Sequence, residues 1–107
     1  MEMSLVYNRC VTLPDGYEVQ LMVMRDFAGG WAGSGRRGMV YRARVWIGTT
    51  WEREPLLYRS QEHGSPGAAV DACYRMLAAS APRVVESVAA REAARRLTDG
   101  HFAAAAG

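Results

Sequence analysis

The chain has 107 residues, 50% hydrophobic and 22% charged, with a formal net charge of +2. That balance is too apolar for a disordered segment, and no run approaches the roughly 18 apolar residues a membrane-spanning helix needs. It predicts one cytoplasmic domain with a single core closed without metal or disulfide support, and no signal-peptide layout is recognised. All thirteen basic residues are arginine. A GC-rich genome accounts for that bias; arginine also offers a planar fork for carboxylate or phosphate, and both readings can hold together.

Taken in chain order, Ser4 to Leu13 alternates as a strand, with Leu5, Tyr7, Val11 and Leu13 on one side. Pro14-Asp15-Gly16 is a turn in which proline presets φ and glycine takes the positive-φ position. Tyr17 to Arg25 returns as the second strand, with Tyr17, Val19, Leu21 and Val23 inward and Glu18, Gln20, Met22 and Met24 outward. Ala28 to Gly38 is a glycine-rich loop carrying Trp31, Arg36 and Arg37. Met39 to Gly48 is the third strand, with Met39, Tyr41, Ala43, Val45 and Ile47 together and Val40, Arg42, Arg44 and Trp46 opposite. Gly48-Thr49 suits a tight hairpin turn. Thr50 to Arg59 is the fourth strand, at an edge or bulged at Pro55, which cannot donate to a ladder.

Gln61 to Gly64 connects to a helix that opens at Ser65, an N-cap, and Pro66, which fits the first helical position. Its apolar stripe is Ala69, Val70, Cys73, Met76, Leu77 and Ser80, with Asp71 and Arg75 four apart on the other side. Pro82 ends this helix or restarts it at an angle. A second helix from about Pro82 to Leu97 turns Val85, Val88, Ala89 and Leu97 inward and pairs Glu92 with Arg96. Gly100 reads as its stop. The domain is therefore expected over 1–100, with 101–107 a frayed tail or a helical extension of no assigned role. Strands first and helices last predict an α+β fold: a four-stranded antiparallel meander with two C-terminal helices packed on one face.

The chemistry-bearing residues are few. Gly33-Ser34-Gly35-Arg36-Arg37-Gly38 fits G-x-G-x-x-G, but a strand follows where a dinucleotide site needs a helix N-terminus. With Val40 it matches a kinase glycine-rich loop, yet the chain is too short for a kinase's catalytic lobe. His63 falls in a loop and His101 in the tail; Glu52, Glu54 and Glu62 read as solvated carboxylates. Cys10 and Cys73 match no zinc spacing and read as free, packed thiols, with a Cys10–Cys73 bridge the alternative. The expectation is no enzyme, no cofactor and no metal site.

The segment from Met39 to Leu77, a hairpin followed by a Ser- and Ala-rich helix, resembles the C-terminal half of a double-stranded-RNA-binding domain. The matching residues are Gly64, Ser65, Ala68, Ala69 and Ala72, over about a third of the chain. Pro66 and Gly67 stand where that family has a phosphate-gripping lysine pair, and a hairpin replaces its first helix, so membership is not inferred. In size, single-domain layout and lack of catalytic groups the chain is similar to small inhibitor proteins of phages and mobile elements, anti-CRISPR proteins among them; that likeness carries no motif.

The open sheet face is the expected site. Trp31, Arg36, Arg37, Arg42, Arg44, Trp46, Trp51 and Arg53 are the candidate binding residues, with Met22, Met24 and Arg59 beside them. Arginine and tryptophan concentrate binding energy, and methionine adapts to irregular surfaces. The reading is a non-enzymatic protein that occupies or occludes the surface of a protein partner. The alternatives are nucleic-acid binding by the same face, with tryptophan stacking bases and arginine neutralising phosphates, and a self-associating module closed as a homodimer.

Overall fold

Strands β1 (Ser4–Thr12) and β2 (Glu18–Phe27) form an antiparallel hairpin across the turn Pro14–Gly16. Both Asp15 (φ 66°) and Gly16 (φ 82°) take the left-handed region. The sequence assigns that conformation to glycine alone; aspartate tolerates it too, and Asp-Gly is favoured where a hairpin turn needs positive φ at both central positions. The computed structural model describes residues 4–27, 38–49, 53–57 and 62–106, with backbone alone for 53–57. Strand β3 (Met39–Gly48) pairs with all of β2, from Glu18 opposite Gly48 to Phe27 opposite Met39.

The outer side of β3 carries β4 (Arg53–Leu57) and then β5 (Glu62–His63), all antiparallel. The four-stranded meander is thus as expected, and β5 adds two residues where only a connection was predicted. The ladder shifts register beside Pro55, which lies opposite Trp46 on the edge strand. Gly48 is still paired, with Arg53, so the ladder runs on through Gly48, and the rest of the connection, 50–52, lies outside the described residues. The ends of the predicted fourth strand, and residues 28–37 of the glycine-rich loop, lie outside the described residues.

Period-two alternation separates the two faces of the sheet. Val19, Leu21, Val23, Ala43, Val45 and Ile47 are all at most 2% exposed and face the helices. Each buried valine, leucine or isoleucine among them contributes about 1.5–3 kcal/mol. The pattern fails at the start of β1, where a register shift between Leu5 and Tyr7 leaves Leu5 half exposed, and at Met39, which is also exposed.

Helix α1 (Pro66–Val84) lies on this face. Ser65 caps it, its hydroxyl accepting from the Ala68 N–H at 3.1 Å. Its buried stripe is Ala69, Cys73, Tyr74, Leu77 and Ala81, rotated from the expected one so that Tyr74 enters the core and Met76 moves to its margin. Pro82 neither ends the helix nor restarts it: α1 continues to Val84. Buried Ala81 and Val85 hold that last turn, and the Val85 N–H reaches the Ala81 carbonyl at 2.9 Å.

Helix α2 (Val88–Ala106) starts later than predicted, and its phase is correspondingly different. Ala90, Ala94 and Thr98 are buried, whereas Val88 is 72% exposed and Ala89 also faces solvent. Val85 is buried as expected, but from the linker. Ser87 is the cap: its hydroxyl accepts from the Ala90 N–H at 3.2 Å and donates to Asp15 in the β1–β2 turn. That carboxylate also complements the positive end of the helix dipole. The Arg91 guanidinium closes the linker on the carbonyls of Val85 (2.9 Å) and Glu86 (3.0 Å). The predicted Glu92–Arg96 pair is present at 3.7 Å, with Arg95 bridging Glu92 and Asp99.

Gly100 does not stop α2. A mid-helix glycine costs only about 1 kcal/mol, and the packing beyond it offsets that. His101 stacks on Tyr74 with centroids 3.8 Å apart and hydrogen-bonds Asp71 at 2.8 Å, while Phe102 packs against the core. Residues 101–106 are therefore helical extension, not frayed tail, and Asp71 pairs with His101 rather than with Arg75.

Candidate functional site

The face of the sheet away from the helices carries Cys10, Thr12, Glu18, Gln20, Met22, Met24, Asp26, Val40, Arg42, Arg44 and Trp46. The ladder orders them in rows: Cys10, Gln20 and Trp46 in one, Asn8, Met22 and Arg44 in the next, then Met24 and Arg42. Arg44 is exposed, and Trp46 is half-buried. The indole lines a shallow depression of about 120 Å³ together with Cys10, Thr12, Glu18, Gln20 and Gly48. Neighbours of different chain length explain the hollow: a small thiol and a glycine stand beside a large ring.

The two strand-borne arginines are not equivalent. Arg42 is already engaged, its Nη2 on Glu62 Oε1 at 3.1 Å and its Nε 3.7 Å from Asp26 Oδ2. Glu62 is thus an exposed carboxylate, as the sequence suggests, and also a partner of Arg42 from β5. Arg44 forms no ion pair among the described residues. Its backbone carbonyl accepts from the Cys73 thiol at 3.8 Å, as does that of Met22 at 3.3 Å, so the core thiol anchors the strands beneath. Among the described residues, Arg42 and Arg44 share this face with Glu18, Asp26 and Glu62, so these side chains carry no excess of positive charge.

Of the remaining candidates, Arg53 occupies the register position opposite Gly48. Trp31, Arg36, Arg37, Trp51 and Arg59 lie outside the described residues. The structure therefore brings Arg42, Arg44 and Trp46 to one face with Met22 and Met24. Sequence reasoning misses Cys10, Thr12 and Gln20 as lining residues; their even spacing on β1 and β2 is the signal, readable once the register is known.

Cys10 is exposed, not packed, and stands on the open face, while Cys73 is buried under the other; both are free. Burial pushes the Cys73 thiol up to about 11. A second polar cluster lies at the margin of the sealed side. Arg9 Nη1 donates to Tyr74 Oη at 2.7 Å, and the Tyr7 and Tyr74 hydroxyls are 3.0 Å apart. Burial, reinforced by the bond to Tyr74, pushes the Tyr7 phenol up to about 12. This network satisfies the oxygen of a fully buried tyrosine, as burial requires. His63 lies in β5 and His101 in α2, so neither is in a loop or loose tail.

Among the described residues no group of three or more His, Cys, Asp or Glu could hold a metal ion. No helix among them is long and apolar enough to cross a membrane. No protein-family model matches the chain, no curated protein matches its sequence, and no solved structure matches its fold.

Proposed function

We propose that this is a binding protein that acts by occupying the surface of a protein partner through the open face of its sheet. The observation that carries the reading is the placement of Trp46, Met22 and Met24 beside Arg44 on the side of the sheet opposite the helices. Large apolar groups around a guanidinium are the composition in which interface energy concentrates. A protein partner is favoured over nucleic acid because, among the described residues of this face, acids offset the arginines: Arg42 is held by Asp26 and Glu62, and Glu18 borders the indole. A phosphate-binding surface needs an excess of cations.

The test is capture of a partner from nuclease-treated lysate of the source cells by the wild-type chain and by the Arg44→Glu, Trp46→Ala double variant. The expected result is capture by the wild type that survives nuclease and changes little with salt, and its loss in the variant. Arg44→Glu alone should change stability by no more than about 0.5 kcal/mol, as for other exposed positions. Capture that persists in the double variant would overturn the reading. Nuclease-sensitive retention with a steep fall against log salt would replace it with nucleic-acid binding.

A further inference from the structure

We infer that the partner segment docking on this face presents a carboxylate next to an apolar side chain, the acid to Arg44 and the apolar group to the hollow at Trp46. This rests on the binding reading above and specifies its chemistry. Residues 44 and 46 point to the same side of β3, two positions apart, which places their Cα atoms about 7 Å from each other. A partner that covers the Trp46 hollow and Met22, which lies opposite Arg44 in the ladder, must also strip water from the Arg44 guanidinium. A guanidinium desolvated without an anion is strongly unfavourable. Among the described residues, Asp26 and Glu62 already hold Arg42 and no carboxylate pairs with Arg44. A carboxylate brought by the partner supplies that compensation.

Glu18 lines the hollow on the side away from Arg44, opposite Gly48 in the ladder. Arg44 is the cation of this pair of positions, so the carboxylate belongs over Arg44 and the uncharged group over the indole, Cys10 and Gln20. The hollow, at about 120 Å³, suits an aliphatic side chain. An extended segment repeats on one side every second residue, matching the 44–46 spacing, so an acid and an aliphatic residue separated by one position fit both contacts at once.

The experiment titrates capped synthetic pentapeptides into the isotope-labelled full chain and follows the Trp46 indole resonance. One peptide alternates threonine with leucine and aspartate; its counterpart carries lysine in place of aspartate. The leucine–aspartate peptide should shift the indole saturably, the lysine peptide should bind at least about tenfold more weakly, and Arg44→Gln should erase the difference. Equal binding of the two peptides overturns the inference. So does the absence of any shift at millimolar peptide, or an indole shifted by a thymidine oligonucleotide but not by aspartate. Partner capture that depends on Trp46 while the peptides show no charge preference would sink this inference and leave the docking reading standing. Capture indifferent to Trp46→Ala would sink both.

Discussion

The two faces of one sheet are furnished in opposite ways. On the sealed side every central strand position is buried, and even the polar atoms that enter are answered: the Tyr74 hydroxyl by Arg9 and Tyr7, the Cys73 thiol by two strand carbonyls. On the open side the same strands display an indole, thioethers and a guanidinium that the described residues leave unmatched. The difference teaches that alternation alone does not distinguish a solvated face from a binding face. Which side chains occupy the outward positions, and which charges are already spoken for, carries that information.

The contrast is most directly broken at its buried centre. Tyr74→Ala should cost about 3–5 kcal/mol, the range for emptying a buried aromatic position, read as a lowered denaturation midpoint. Tyr74→Phe should cost only about 1–2 kcal/mol, the share of the hydroxyl it takes from Arg9 and Tyr7. A Tyr74→Ala protein as stable as wild type would mean that α1 is not the cover of this sheet.

The cysteines compare the faces within one molecule. Cys10 should react with a thiol reagent immediately in the native protein, whereas Cys73, at 0% exposure and with its thiol held up to about 11, should react only as the chain unfolds. Two fast thiols would contradict the sealed side.

Alkaline pH should act on the same side. The ordinary thiol and phenol ionise near 9.0 and 10.0, while Cys73 and Tyr7 are held at about 11 and about 12. Above pH 9.0 the unfolded chain therefore releases protons that the folded chain keeps. Stability present at neutral pH falls progressively toward pH 12. Denaturant midpoints at neutral and alkaline pH measure this, and Cys73→Ala should remove the earlier part of the fall.

The smallest effect concerns solvent rather than side. Gly100 lies on α2 with nothing within 4 Å of where a Cβ would stand. Gly100→Ala should raise stability by about 0.5–1 kcal/mol through helix propensity alone. A thermal melt that shifts downward instead would argue against continuous helix through residue 100.

The strands were legible because their periodicity is set locally by side chains that prefer one environment. Val19, Leu21 and Val23, or Ala43, Val45 and Ile47, state their face without help. The helical half was less legible where tertiary partners decide. The phase of α2 is reset by a linker fixed from outside, through Asp15 on Ser87 and Arg91 on the Val85 and Glu86 carbonyls. Tyr74 enters the core because Arg9 waits for its oxygen, and an arginine at an inward position of β1 was the sequence trace of that. At the candidate site, Arg44 and Trp46 followed from alternation. The engagement of Arg42 depended on a two-residue strand that no pattern announces.

Helix α2 leans on α1 and on the β1–β2 turn rather than on the strands themselves. It is thus fastened by two latches, Ser87 on Asp15 at one end and His101 on Asp71 at the other. Sub-global opening of α2 should accordingly cost less than unfolding the sheet. Its amide hydrogens would exchange with solvent deuterium well before those of β2 and β3, and the ring of Tyr74 would be bared in that opened form. In that form the sheet and α1 would hold together beneath it as the remaining core.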